Sequence, residues 1–271
     1  MCIDELSLSK GELYTFVTNK SGNCKQGSLV AVIRGTLSKD IISVLNKLSS
    51  ASRELVEEVS MDMANNMEAA IKASFAKAKI VTDRFHVVKL VTDALQHLRI
   101  KHRWAELEKE NEAIAAAKKE GKKHKSEVLP NGDTVKQLLA RCRLILYKKP
   151  CEWTTSQALR MVLLFDRFPK LSEVYYHVIA FRKIYELKCR TKAATKFKEW
   201  LEKTKSLNIT EFNTVSNTLH YNLENILNFF INRNTNAYAE SFNAKIKLFR
   251  ANLRGVVDIK FFLFRLAKLF A

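Results

Sequence analysis

Glycine and proline are scarce in this chain, and their scarcity limits the folds it can adopt. The 271 residues include only 7 Gly and 3 Pro. An all-β protein must turn about every ten residues, and Gly and Pro supply many of its tight turns. Hydrophobic residues make up 47% and charged residues 27% of the chain, which is globular composition. We therefore expect a folded protein dominated by helices, with one large domain or two ordinary ones.

The N-terminal part, up to about residue 83, differs from the rest because it combines strand patterns with helix patterns. Amphipathic helices are expected around residues 41–48 and 69–76. The predicted strands are residues 3–8, 13–18, 28–34, 55–61 and 79–82. An antiparallel meander followed by a strand–helix–strand unit predicts a mixed α/β sheet.

From Arg84 onward the pattern is helical almost without interruption. A long helix is expected from Val87 to about Ala117, followed by a basic polar loop at 118–125. Further breaks are expected at a turn at 130–133 and near residues 149–150, 168–169, 190–191 and 205–208. Breaks at these intervals predict helical hairpins with short connections.

The charge of the chain is strongly positive. Its 46 Lys and Arg residues against 28 Asp and Glu give a net charge of +18. This excess indicates a polyanionic partner, nucleic acid first and an anionic membrane surface second, although a basic protein without such a partner stays possible. No run of about 18 apolar residues is present that could span a membrane.

The N-terminus and the cysteines indicate the compartment. The first residues lack the basic and apolar regions of a secretion signal. The five cysteines are scattered and show no C-x-x-C spacing, so neither a zinc site nor a disulfide framework is expected. We expect reduced thiols and a cytoplasmic, nucleoid-associated protein.

Three acidic residues stand out because each ends or interrupts an apolar element. Asp4 lies in the first strand, Asp62 closes the strand at 55–61, and Glu240 lies inside a late helix. In that helix a polar stripe is separate from the apolar one and is formed by Asn236, Glu240, Asn243 and Lys247. Such a stripe suits a metal or phosphate site, and it also suits a solvated surface.

Asp83 and His86 lie at another junction of a strand with a helix. A carboxylate and an imidazole at this spacing can both face one site. The alternative is that Asp83 caps the following helix and that His86 is a half-buried histidine without a functional role.

Several segments resemble motifs of bacterial insertion-sequence transposases, in the ISL-type branch of the DDE transposases. They follow in the expected order and cover nearly the whole chain. Residues 3–7 with 11–15 resemble the first-aspartate strand pair, 60–64 the second-aspartate strand end, 81–88 the Asp/Cys-x-x-His signature, and 232–247 the glutamate helix, continued by 249–250 and 254–256.

The resemblance implies an α/β fold with a large all-α insertion. Its core is an RNase H-like mixed five-stranded sheet, an antiparallel meander plus two parallel strands, flanked by helices. Residues 1–86 and 231–271 would form the catalytic domain, and residues 87–230 a helical insertion domain between the last strand and the glutamate helix.

The resemblance also implies an active site and its chemistry. Asp4, Asp62 and Glu240 would be the catalytic residues and would bind two Mg²⁺ ions, with Mn²⁺ as a substitute. Asp62 is preferred to Asp83 as the second ligand because it ends the longer strand and the Asp-x-x-His pair follows it. The accessory residues would be Asp83, His86, Asn236, Asn243 and Lys247. The enzyme would nick transposon ends and transfer the freed 3′-hydroxyl into target DNA.

DNA contacts are expected from the insertion domain and from the end of the glutamate helix. The residues expected to contact DNA are Lys118, Lys119, Lys122, Lys123, Arg141, Arg143, Trp153, Arg250 and Arg254. Trp153 could stack on a flipped base, or it could be part of the core. The implied partners are the terminal inverted repeats, target DNA and a second copy of the chain on DNA.

Two other functions stay open. The transposases that the chain resembles usually carry an N-terminal zinc-ribbon or helix-turn-helix module, and this chain begins three residues before Asp4. Either a separately encoded protein supplies that module or the copy is truncated. A truncated copy would be a catalytically inactive, basic DNA-binding remnant. A host nuclease acting on RNA hybrids is a third, weaker reading.

Overall fold

The computed structural model describes residues 1–8, 11–253 and 258–271. The chain forms two compact units, which we call the sheet unit (residues 1–87 and 222–271) and the helical unit (residues 88–221). None of the helices in the described ranges is long and apolar enough to cross a membrane.

A mixed sheet is the centre of the sheet unit. Its strands are β1 (Cys2–Ser7), β2 (Leu13–Thr18), β3 (Leu29–Arg34), β4 (Glu58–Met61) and β5 (Lys79–Thr82). They lie in the order β3-β2-β1-β4-β5. The first three pair antiparallel, and β4 and β5 run parallel to β1. The predicted mixed five-stranded sheet is confirmed.

Helices make up most of the remaining described residues. In chain order they are α1 (Ser38–Leu45), α2 (Ser50–Glu54), α3 (Asn65–Ser74), α4 (Arg84–Lys119), α5 (Val135–Arg141), α6 (Thr155–Arg167), α7 (Pro169–Ile184), α8 (Arg190–Leu207), α9 (Thr210–Tyr221), α10 (Leu223–Leu227), α11 (Phe229–Asn232), α12 (Ala237–Asn252) and α13 (Ile259–Phe270). The long helix therefore begins at Arg84 rather than at Val87.

The two faces of the sheet pack against different helices. Because side chains alternate along a strand, Ile3 of β1 points to one face and Leu6 to the other. Ile3 belongs to a core that includes buried residues of α1 and α3. Leu6 belongs to a second core, to which α12 contributes Phe242 and α13 contributes Phe262. The helix that carries Glu240 therefore covers one face of the sheet.

The strand predicted at residues 55–61 is wrong in its first half. α2 ends at Glu54, and β4 begins only at Glu58. Leu55, which suggested an early start of the strand, is 81% exposed. The hydroxyl of Ser49 accepts a hydrogen bond from the backbone N–H of Ser52 at 3.1 Å and caps α2.

The helical unit has an aromatic core. Its buried aromatic residues include Tyr175, Tyr185, Phe181, Phe197, Trp200 and Phe212. The buried imidazole of His177 stacks on Trp200, with ring centroids 4.3 Å apart, and its Nε2 lies 2.7 Å from the hydroxyl oxygen of Thr204. Burial lowers the pKa of His177 to about 4, so this histidine is a neutral part of the core.

Candidate functional site

Three aspartates lie at the same level on neighbouring strands. Cys2 of β1 is opposite Ser60 of β4, so Asp4 is level with Asp62, each two residues further along. Met61 is opposite Thr82 of β5, so Asp62 and Asp83 directly follow paired residues. Parallel strands run in the same direction, and their carboxyl ends therefore meet at one edge of the sheet. The register brings Asp4, Asp62 and Asp83 to this edge.

Asp4 is half-buried and lies near other acidic groups. Its Oδ2 accepts a hydrogen bond from Nδ2 of Asn243 at 2.8 Å, and its Oδ1 accepts one from the backbone N–H of Glu5 at 2.9 Å. Burial raises the pKa of Asp4 to about 6, against the lowering effect of the Glu5 N–H. The charges of Asp62 and Glu240 raise this pKa further. The carboxylates of Asp62 and Glu240 thus both act on that of Asp4.

Asp62 has a carboxylate oxygen without a hydrogen bond. Among the described residues, no group donates a hydrogen bond to its buried Oδ1. A buried carboxylate oxygen in that state is costly, and a cation or a proton would satisfy it. This oxygen is therefore a place where a ligand of positive charge would be favoured.

Asp83 is engaged on several sides. It is 2% exposed, and its Oδ1 accepts a hydrogen bond from the backbone N–H of Asn236 at 3.0 Å. Nδ1 of His86 lies 3.4 Å from its Oδ2. Burial disfavours the charge of Asp83, but His86 and the Asn236 N–H outweigh it and lower the pKa. Asp83 in turn raises the pKa of His86, with smaller contributions from Asp62 and Asp4.

The Asp83–His86 pair lies at the start of α4 and also near the other acids. The backbone N–H of His86 also bonds to Asp83, which makes Asp83 a cap of α4. At the same time the pair places the His86 imidazole, whose pKa is raised, near Asp62 and Asp4. Oδ2 of Asp83 has no hydrogen-bond partner among the described residues and lies 3.4 Å from Nδ1 of His86, so Asp83, like Asp62, has one carboxylate oxygen without a hydrogen bond.

The polar stripe predicted on the late helix is divided between buried and exposed positions. Asn236, which precedes α12, is fully buried, and Asn243 is 8% exposed. They contact Asp83 and Asp4 respectively. Glu240 and Lys247 are exposed. Asn243 thus binds Asp4 through its side-chain amide, and Asn236 binds Asp83 through its backbone N–H, contacts that the spacing alone did not indicate.

The donor set fits a divalent cation, although it is not a preformed cage. Among residues 1–8, 11–253 and 258–271, no group of three or more His, Cys, Asp and Glu side chains is arranged to hold a metal ion. Asp4 and Asp62 nevertheless offer carboxylate oxygens at one edge of the sheet, and one of these oxygens lacks a partner. Carboxylates are the ligands that Mg²⁺ prefers, and a cation would relieve the repulsion between these acids.

Comparison with known families gives a match over nearly the whole chain. A model of the ISL3-type transposase family, described as transposase, matches residues 1–266. The chain belongs to this transposase family. No curated protein and no solved structure matches it significantly. As a member of this family, the protein processes nucleic acid and has DNA as its partner.

Six basic residues that were expected to contact DNA are exposed on the helical unit of the transposase, one of them Arg141. The other five are Lys118, Lys119, Lys122, Lys123 and Arg143. The first two lie in the last turn of α4, and the next two follow it in the loop. Lys122 pairs with Glu120 at 3.0 Å, at full exposure to solvent, where such a pair contributes little. These side chains are free to reach phosphates.

Arg141 and Trp153 already have contacts within the transposase. Arg141 forms an ion pair with the buried Asp133. Trp153 is half-buried, and its ring centroid lies 5.6 Å from that of Tyr175. Neither contact tests a role in DNA binding, so the DNA contacts of Arg141 and Trp153 remain predictions.

The last predicted DNA contacts lie at the end of α12 and beyond it. The guanidinium carbon of Arg250 lies 4.8 Å from the centroid of the Phe262 ring, which holds the side chain against α13. Arg254 lies outside the described residues.

Lys20, Glu58 and Ser60 were not predicted to belong to the site. All three contact the residues just before α12. No pattern in the neighbouring sequence indicates that these three residues belong to the site. Only the order of the strands in the sheet brings them to this segment. The alternation of Glu58, Ser60 and Asp62 with apolar residues was the one available signal that β4 has a polar face.

Proposed function

We propose that this transposase is a DDE-type, metal-dependent polynucleotidyl transferase with an RNase H-like catalytic domain. The sheet unit would be that domain, and the helical unit would be an insertion between β5 and the glutamate helix. The strand order, with three antiparallel strands followed by two parallel ones, supports the fold. The level position of Asp4 and Asp62 on adjacent parallel strands is the observation that carries the proposal.

Asp4, Asp62 and Glu240 would hold the divalent ions in this proposal. When bound, two Mg²⁺ ions supply Lewis-acid activation of the attacking oxygen and stabilisation of the leaving oxygen. Asn243 keeps the Asp4 carboxylate oriented through its Nδ2. Such a hydrogen bond to a ligand carboxylate fixes the ligand and tunes its basicity.

The Asp83–His86 pair would act on the DNA backbone. Asp83 raises the pKa of His86 and so favours the charged form of the imidazole, close to where the scissile phosphate would lie. It would bind the phosphate and orient it. The exposed lysines at the end of α4 would add contacts of the sequence-independent, salt-sensitive kind.

The reaction we propose has two steps that use the same site. Water first nicks the transposon end, and the freed 3′-hydroxyl then attacks target DNA, so that one phosphodiester bond is exchanged for another. A homodimer on DNA, recognition of terminal inverted repeats and a separately encoded end-recognition protein belong to the same proposal.

A nicking assay tests the proposal. The full chain is incubated with a supercoiled plasmid that carries the ends of its own element, in Mg²⁺ or in EDTA. We expect Mg²⁺-dependent nicking, reduced about 1,000-fold or more in Asp62→Asn and Glu240→Gln, since loss of metal ligands removes several kcal/mol of transition-state stabilisation.

Asp166→Asn and Glu108→Gln are the matched controls, because both acids are exposed on the helical unit. They should nick like the unchanged chain. Nicking that persists in Asp62→Asn would remove the proposed active site. Salt-sensitive DNA binding without any nicking, also with an end-recognition protein added, would favour the inactive DNA-binding remnant.

A further inference from the structure

One face of β4 is polar along the whole strand. Glu58, Ser60 and Asp62 alternate with Val59 and Met61, which are buried in the core with α1 and α3. The segment of residues 232–236, which we call the pre-helix segment, lies against this face. It connects α11 to α12 and therefore leads directly to Glu240.

Side chains of β4 bind the pre-helix segment at successive points. Glu58 accepts hydrogen bonds from the side-chain amides of Asn232, at 2.7 Å, and of Asn234. The hydroxyl of Ser60 lies 3.4 Å from the carbonyl oxygen of Thr235 and 3.4 Å from Oδ1 of Asn236. The segment thus runs along β4 toward the edge where Asp62 lies.

Lys20 holds the same segment from the other side. Its Nζ donates to the carbonyl oxygen of Thr235 at 3.0 Å and to Oδ1 of Asn234 at 3.3 Å. Lys20 lies in a tight turn between β2 and β3. That turn is closed by Gly22, where a Cβ would lie 2.4 Å from the hydroxyl oxygen of Ser28. The close approach of Gly22 to Ser28 therefore leaves no room for a side chain at position 22.

The segment ends in the residue that sets the start of α12. The N–H of Asn236 donates to Asp83, and its carbonyl oxygen accepts from the N–H of Glu240 at 3.1 Å. A change in the position of the segment would therefore move Glu240 relative to the aspartates of the sheet. Arg233 at the beginning of the segment has a left-handed backbone with φ of 55°, so no continuous helix fixes α12 from that side.

We propose that Lys20 and Glu58 are positioning residues that clamp the pre-helix segment and so hold Glu240 in reach of Asp4 and Asp62. The catalytic half of this inference rests on the proposed function. The clamp itself is a property of the fold, and it can be measured without DNA or metal.

Hydrogen exchange of the full chain, followed by mass spectrometry, tests the clamp in Lys20→Met and Glu58→Gln. A hydrogen bond to a charged group stabilises by an amount that corresponds to a factor of about 10 or more in local opening. We expect amides of residues 236–241 to exchange about 10-fold faster, while the amides of β1 and β2 keep their rates. Lys20→Arg, which keeps the charge and the donors, should restore most of the protection.

The controls are Lys25→Met, an exposed lysine of the same turn, and Glu57→Gln, the exposed neighbour of Glu58. Both should exchange like the unchanged chain. In the nicking assay the clamp variants should lose kcat about 10-fold, with an unchanged KM for DNA, because phosphate contacts lie elsewhere.

Two outcomes would overturn the clamp. One is exchange at 236–241 that equals that of the controls, and the other is acceleration across the whole sheet unit, which would mean a loss of general stability. Local acceleration with an unchanged kcat would overturn the positioning role. If the unchanged chain does not nick at all, the proposed function fails, while local acceleration would still establish the clamp.

Discussion

Asp133 of the helical unit and Asp62 of the sheet unit differ in their partners. In the helical unit Asp133 is fully buried, and it forms ion pairs with Arg141 and, at 3.0 Å, with Arg160. In the sheet unit Asp4 and Asp62 lie near each other and near Glu240, and Oδ1 of Asp62 has no hydrogen-bond partner among the described residues. One arrangement satisfies its charge internally, and the other leaves it unsatisfied.

This difference separates a structural acid from a functional one. A buried carboxylate between two guanidinium groups stabilises the fold as long as the pairs are complete. Acids gathered without such partners cost stability, and folds keep that arrangement where a ligand uses it. Asp133 is fully buried, whereas Asp4 and Asp62 are partly buried, and the identity of their partners separates them further.

The largest expected effect is the difference in the free energy of unfolding between Asp133→Asn and Asp62→Asn in metal-free buffer. Asp133→Asn leaves two arginines without their carboxylate and should lower the free energy of unfolding by about 3 kcal/mol. Asp62→Asn removes an unsatisfied charge and should leave that free energy unchanged or raise it. Urea unfolding followed by circular dichroism measures both. Equal destabilisation by the two changes would break the comparison.

Asn243→Ala should show whether a single hydrogen bond to Asp4 serves function or stability. The change frees Oδ2 of Asp4 from the amide that orients it. We expect nicking to fall between about 10-fold and 100-fold, as for other groups that orient metal ligands. The free energy of unfolding should fall by only about 1 kcal/mol. A large loss of stability with little loss of nicking would make Asn243 a structural residue.

The smallest expected effect is on the pH dependence of stability without metal. Burial raises the pKa of Asp4 to about 6, above the ordinary value of 3.8. The folded state therefore binds the proton more tightly than the unfolded state does. The stabilising contribution is complete below pH 3.8 and is lost as the pH rises through about 6.

Asp4→Asn isolates this contribution, since the amide does not titrate. The free energy of unfolding of the unchanged chain, relative to that of Asp4→Asn, should fall between pH 4 and pH 7 and level off above that range. Urea unfolding in EDTA at several pH values measures the difference. A difference that stays constant over this range would show that Asp4 is not perturbed by its surroundings.

Much of the fold could be predicted from local patterns. The β-branched and aromatic residues of β1 and β2 and the turn residues between them predicted the meander, and Asp4 and Asp62 were singled out as acids inside or at the end of apolar strands. Leu55 misled the prediction of β4, because a leucine next to a strand has the same appearance in sequence whether it is buried or, as here, 81% exposed.

The contacts that complete the site could not be predicted in this way. Lys20 and Thr235 are 215 positions apart in the sequence. They meet only because β2 pairs with β1, which in turn pairs with β4. Asn236 and Asn243 were singled out as members of one polar stripe, but their partners Asp83 and Asp4 come from other elements. Helical spacing shows which residues share a face, and it does not show what that face meets.

Binding of Mn²⁺ to the full chain tests the central claim most directly, because it needs neither a DNA end nor turnover. Electron paramagnetic resonance of free Mn²⁺ gives the bound fraction for the unchanged chain, Asp62→Asn, Glu240→Gln and the control Asp166→Asn. The account predicts binding by the unchanged chain and the control, weakened about 10-fold or more in the two site variants. Equal Mn²⁺ binding by all four proteins would contradict a cation site formed by Asp4, Asp62 and Glu240.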